Sequence, residues 1–158
     1  MPSVRVVSGL VFLLLTGAAL AQEADPARAE SVSWQAQAAA KGDKATVTLN
    51  GTVQPGWHVY ALKQAPEGPT PLLVTLDKTD VATANGVASG SPAIKFRDPA
   101  FGLDTQYYEK AFSVSLPVKL KPGAQAIPVS VRFQTCNGRI CQPPKTVHLS
   151  APVNQAGG

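Results

Sequence analysis

Two cysteines, Cys136 and Cys141, are the sulfurs this sequence offers for covalent chemistry. They lie in Phe133-Gln134-Thr135-Cys136-Asn137-Gly138-Arg139-Ile140-Cys141-Gln142-Pro143-Pro144. A four-residue hairpin loop would set them facing each other across its mouth, within bridging range, and Asn137-Gly138 supplies turn chemistry. A tight two-residue turn centred on Asn137-Gly138 would instead pair Cys136 with Arg139 and leave the cysteines out of register. Only the four-residue loop is consistent with a bridge.

A bridge this short is an inefficient staple. Loop-closure entropy gives a six-residue ring about 2 kcal/mol, against about 3 for a 15-residue loop. It also cannot tie two sheets together over a long sequence separation, as the disulfide of an antibody domain does. The pair sits at a strand end beside Arg139 and before Pro143-Pro144, where a partner's sulfur could reach it. Spacing by itself leaves a structural hairpin disulfide and a redox-active pair side by side, with a metal site as a third reading.

Other chemistry has less support. His58 and His148 lie in strand patterns without metal spacing to the cysteines, so no metal site is expected. Met1 is the sole methionine, which excludes a Met-rich copper site. Asp77, Asp80, Asp98, Asp104 and Glu109 show no motif that converges two carboxylates for acid–base hydrolysis. No Gly-x-Ser-x-Gly or phosphate-cradling glycine loop occurs, and no cofactor is expected. The charge of +4 on 158 residues is scattered, with no run to follow a phosphate backbone, so nucleic acid is not a partner.

The elements that must position the cysteines are strands. Val32, Trp34, Ala36 and Ala38 alternate with polar residues, as do Val47, Leu49 and Val53 against Thr46, Thr48 and Thr52. Further short runs fall at Trp57–Tyr60, Leu72–Leu76, Ala93–Phe96, Phe112–Leu116, Ile127–Phe133 and Thr146–Leu149, with turns at Gln54-Pro55-Gly56, Asn85-Gly86 and Lys121-Pro122-Gly123. The 14 prolines interrupt most helical windows. The expected fold is all-β: an immunoglobulin-like β-sandwich of two antiparallel sheets, with a closed barrel as the alternative. Thr79–Pro92 and Lys63–Pro71 read as loops, and Trp34 and Trp57 as core fillers. Tyr107-Tyr108 would flank the site or close a strand.

Arg5, the apolar run Val6–Leu15 and Ala19-Leu20-Ala21 form a secretory signal with cleavage before Gln22. The stretch Val6–Leu20 is shorter than the roughly 20 residues a spanning helix needs, so no stable membrane insertion is expected after cleavage. The expected organisation is a signal peptide at 1–21, a flexible lead-in at 22–30, the β-domain at 31–152 and a flexible tail at 153–158. The product is expected to be a soluble, exported monomer.

The cysteine segment through Lys145-Thr146-Val147, preceded by Gly56-Trp57-His58-Val59-Tyr60 and Phe96-Arg97-Asp98-Pro99-Ala100-Phe101-Gly102, resembles the N-terminal periplasmic domain of the thiol:disulfide interchange protein DsbD. The similarity runs from about Ser31 to Leu149. It implies an immunoglobulin-like domain with an active-site disulfide, which takes electrons from a thioredoxin-like or membrane thiol-disulfide oxidoreductase and passes them to periplasmic oxidoreductases. It is compatible with traffic toward disulfide isomerisation, cytochrome maturation or metal-protein assembly.

By position, Cys136 and Cys141 match the exchanging pair, and Cys141 matches the cysteine that forms mixed disulfides. Tyr60 matches an aromatic lining the site. Asp98–Gly102 matches a cap loop whose aromatic ring covers the disulfide, with Phe101 as that ring, or with Ala100 in its place if the pattern is shifted by one residue. Ile140, next to Cys141, completes the implied lining. His58 stands where the best-known member has a second tyrosine, and the cysteines here are one residue closer together. With the chain ending after the β-domain, the electron source is expected to be a separate protein. The competing function is a non-catalytic exported binding or assembly module with a structural disulfide.

Overall fold

The computed structural model describes residues 30–78 and 80–155. The signal segment and all of the lead-in except Glu30 fall outside the described residues. Twelve strands follow in order: β1 (Val32–Lys41), β2 (Lys44–Val53), β3 (His58–Tyr60), β4 (Leu73–Leu76), β5 (Ala82–Ala84), β6 (Ser89–Gly90), β7 (Ile94–Asp98), β8 (Leu103–Tyr108), β9 (Ala111–Leu120), β10 (Ala126–Phe133), β11 (Thr135–Cys136) and β12 (Lys145–Gln155). No helix occurs among the described residues.

Eight strands form one hydrogen-bonded path, β4-β10-β12-β1-β2-β9-β5, with β6 also on β9. Its end strands β4 and β5 approach each other without a ladder between them, so the path curls but does not close as a barrel. The other four strands form a smaller sheet, β11-β3-β8-β7. The architecture is the immunoglobulin-like two-sheet sandwich.

Period-two patterning explains the core. Along β2, Ala45, Val47, Leu49, Gly51 and Val53 are buried; along β9, Phe112, Val114, Leu116, Val118 and Leu120 are. Ile127, Val129, Val131 and Phe133 of β10 and Val59 and Tyr108 of the small sheet join the same cluster. Trp34 fills it as expected, edge-on to Phe112 at 5.4 Å and tilted against Phe133 at 5.2 Å. Burying one Val or Leu contributes about 1.5–3 kcal/mol. A single such side chain therefore matches the roughly 2 kcal/mol of the short bridge, and the fold rests on the core.

The structure corrects the sequence reading in four places. β12 runs to Gln155, past the boundary expected at Pro152, because Val153, Asn154 and Gln155 pair with Ala38, Ala39 and Ala40. That ladder is parallel, the exception in otherwise antiparallel sheets; β1 and β12 are far apart in sequence, so no hairpin dictates their direction. The Thr79–Pro92 stretch contains β5 and β6, short pieces whose order comes from pairing with β9. Finally β8, with the sequence LDTQYY, lacks apolar alternation because its exposed positions are polar and its buried ones include Thr105.

Candidate functional site

The small sheet gathers the site through its register. On β3, His58 and Tyr60 point to one face and Val59 to the other. Directly opposed residues share a face, and the pairings are Cys136 with His58, Tyr60 with Tyr107, Ile94 with Tyr107 and Phe96 with Thr105. Cys136, His58, Tyr60, Tyr107, Thr105, Phe96 and Asp98 thus line one face. On the opposite face Val59 pairs with Tyr108, which stacks on Phe112 at 4.5 Å in the core.

Cys136 and Cys141 form a disulfide. They also face each other as an antiparallel bridge, which selects the four-residue loop over the two-residue turn. Asn137 acts through its side chain: Oδ1 accepts from the N–H groups of Arg139 at 3.0 Å and Ile140 at 2.8 Å. Gly138 turns the chain with φ +80°. The hairpin base is fastened by Gln142 N–H donating to the Thr135 carbonyl at 2.9 Å. Behind it, Ser31 Oγ lies 2.9 Å from Thr135 Oγ1, and both meet Gln142 Oε1 at 3.1 Å. Sequence reasoning did not find this Ser31–Thr135–Gln142 cluster, because Ser31 joins from the far end of the chain.

The two sulfurs sit in unequal surroundings. Cys136 is 2% exposed, whereas Cys141 is only partly buried. Ile140 beside it is 63% exposed. The Tyr60 hydroxyl is 3.8 Å from Cys141 Sγ and donates to Asp98 Oδ2 at 2.7 Å. Burial, together with that carboxylate, raises the Tyr60 pKa far above the usual tyrosine value.

The segment that the resemblance implies as a cap is the β7–β8 turn. Asp98 is 3% exposed; besides holding Tyr60, its Oδ1 accepts from Ala100 N–H at 2.9 Å. Gly102 closes the turn with φ +65° and donates its N–H to the Asp98 carbonyl at 2.8 Å. The partly buried Phe101 ring meets Tyr60 edge-on at 5.8 Å, one ring removed from the sulfur that Tyr60 touches. Ala100 lines a cavity of about 210 Å³ with His58, Phe96, Asp98, Tyr107, Glu109 and Cys136. His58 packs between Tyr60 at 5.1 Å and Tyr107 at 4.6 Å; burial lowers its pKa, with Asp98 and Glu109 opposing the shift.

The sequence-expected residues Cys136, Cys141, Tyr60, His58, Asp98 and Phe101 are therefore brought together, and Ile140 flanks them. Phe96, Tyr107 and Glu109 complete the lining; the i, i+2 spacing of Phe96 with Asp98 was the available signal. Lys145, four residues after Cys141, is ion-paired with Glu30. His148 lies on the other sheet, with Nδ1 2.7 Å from Ser130 Oγ and 3.3 Å from Asp77 Oδ2. Among the described residues no cluster of three His, Cys, Asp or Glu could hold a metal ion.

A disulfide with one buried and one partly exposed sulfur, beside the β7–β8 turn of a two-sheet sandwich, is the arrangement to compare with known proteins. The family model for the N-terminal region of the thiol:disulfide interchange protein DsbD matches residues 24–151. The chain belongs to the DsbD N-terminal domain family. Among solved structures, the DsbD N-terminal domain of Neisseria meningitidis, in its reduced form, superposes with a TM-score of 0.54 at 19% identity, covering 75% of this chain and 84% of that one. The N-terminal periplasmic domain of ScsB from Proteus mirabilis gives 0.58 at 17% identity, covering 82% of this chain and 49% of that one. These likenesses concern the fold. No curated protein matches the sequence. Membership identifies this DsbD-type domain as a thiol-disulfide exchange module.

Proposed function

We propose that this domain is a periplasmic relay, exported by cleavage after Ala21, that carries electrons as a monomer between a thioredoxin-like or membrane reductase and exported oxidoreductases. The carrying observation is the unequal burial of one bonded pair: Cys136 is 2% exposed and Cys141 only partly buried. In the reduced protein the Cys141 thiolate attacks a partner disulfide, one partner sulfur leaves as thiolate, and a mixed disulfide forms. Cys136 then attacks Cys141 Sγ. The Cys136–Cys141 bond reforms, the second partner sulfur leaves, and two electrons have passed to the partner. Charging runs the same steps in reverse.

The Asp98–Gly102 turn, with Phe101 on Tyr60, is the cap that a docking partner moves aside. Sulfur–aromatic and ring–ring contacts of about 0.3–1.5 kcal/mol are weak enough for an interface to displace. A measured reduction potential tests the reading: an exchange pair lies above roughly −300 mV and a structural staple below it. Cys136→Ser, which removes the resolving thiol, is expected to accumulate partners as mixed disulfides on Cys141. N-terminal mass analysis of the exported protein is expected to begin at Gln22.

A further inference from the structure

Resolving a mixed disulfide requires Cys136 to lose its proton, and at 2% exposure Cys136 has little access to solvent that could take it. A proton acceptor beside it would lift that restriction. We propose that His58 Nε2 accepts the Cys136 thiol proton in the resolving step; the inference rests on the exchange reading above.

Three observations carry it. First, His58 and Cys136 are directly opposed in the β3–β11 ladder, so their side chains share a face with Cβ atoms about 4.5–5.5 Å apart. Second, both line the same small cavity, together with Asp98, Tyr107 and Glu109. Third, His58 Nε2 is buried and has no hydrogen-bond partner among the described residues of the disulfide-bonded protein. A bonded Cys136 has no proton to offer. Reduction creates an S–H donor opposite that nitrogen, and the vacant acceptor gains its partner in the state that needs one.

Two nearby polar groups are already engaged. Tyr60 donates to Asp98 Oδ2, and Asp98 Oδ1 holds Ala100 N–H. The groups facing His58 are Tyr60 on its own strand, Cys136 on β11, Tyr107 on β8, Asp98 at the end of β7 and Glu109 just after β8. Burial outweighs the two carboxylates and keeps the imidazole neutral at neutral pH, as an acceptor must be. The tautomer required carries its proton on Nδ1. As Cys136 Sγ attacks Cys141 Sγ, the proton passes to Nε2, the Cys136–Cys141 bond forms and the partner's sulfur departs with the electron pair. The proton then moves from the imidazolium to that thiolate or to solvent.

Dithiobisnitrobenzoate, an aromatic disulfide, resolves the two steps. Attack by Cys141 releases a first coloured thiolate, and attack by Cys136 on the mixed disulfide releases a second. In the wild-type protein the second phase is expected to slow as pH falls through the lowered His58 pKa, below about 6.5. In His58→Gln and His58→Phe the ratio of second-phase to first-phase rate is expected to drop about tenfold or more, and the acid limb to disappear. A ratio within about twofold of wild type in His58→Gln, or a wild-type second phase without an acid limb, overturns the assignment; the wild-type profile decides even where a variant folds poorly. Absence of any second release in wild type would instead refute the exchange reading, and this inference with it.

Discussion

Tyr60→Phe removes one oxygen and no carbon from a fully buried ring, so its effect reports on that hydroxyl's contacts, chiefly the short one to Asp98 beside the longer approach to Cys141 Sγ. The lost bond is a 2.7 Å donation to a carboxylate that is 3% exposed, and among the described residues Asp98 Oδ2 has no other side-chain donor. Hydrogen bonds to charged groups contribute about 1.5–3 kcal/mol. For a domain between the small and medium size classes, each kcal/mol shifts Tm by roughly 3–5 °C, so a fall of about 5–15 °C is expected by calorimetry. The oxidised disulfide should also become more accessible, because the other Asp98 oxygen anchors the cap turn through Ala100.

A double-mutant cycle with Asp98→Asn is expected to give a coupling energy above about 1 kcal/mol, since the two residues act as one unit. There is also a pH signature. A tyrosine whose folded pKa is raised contributes stability that is present below its unfolded value near 10 and is lost as pH rises beyond it. Alkaline destabilisation should therefore be less steep in Tyr60→Phe. A Tm change under about 2 °C with additive single effects would refute the reasoning, and would mean that Asp98 is held by its backbone contacts alone.

Other outcomes follow from the same geometry. The Cys136→Ser, Cys141→Ser double variant is expected to stay folded at room temperature, losing about 2 kcal/mol in a denaturant titration while losing exchange. Phe101→Ala is expected to speed reaction of the reduced pair with small oxidants and to leave the circular dichroism spectrum unchanged; unchanged rates with a large fall in Tm would make Phe101 a core residue. Ser130→Ala is expected to move the Asp77 pKa back up toward 3.8, followed by NMR, because the Ser130 hydroxyl is the main cause of its depression. The small stability that this pairing provides is present above the unfolded carboxylate pKa and lost as pH falls through the folded value.

Alternation alone identified β2 and β9, because one face of each is apolar without interruption and a period of two has few other solutions. It missed β8, where buried Thr105 and the two tyrosines do not read as an apolar face, and it missed β5 and β6, which are ordered only by β9. The cysteine spacing fixed a short hairpin but left two registers open; the Asn137 side chain, substituting for a backbone acceptor, centres the turn one residue later than the Asn-Gly pair suggests.

By itself the sequence determined the material of this domain: strands that must bury one face, a sulfur pair too close together to be an efficient staple, and residues that resemble a redox family. It could not say which cysteine would be hidden, that Asp98 would hold Tyr60, or that His58 would face Cys136. Strand alternation says only that a residue points to one of two faces, while the neighbour across the ladder comes from a distant segment. The order β11-β3-β8-β7 brings Tyr60 to Asp98, 38 positions away, and Cys136 to His58, 78 positions away, and only the folded chain sets that order.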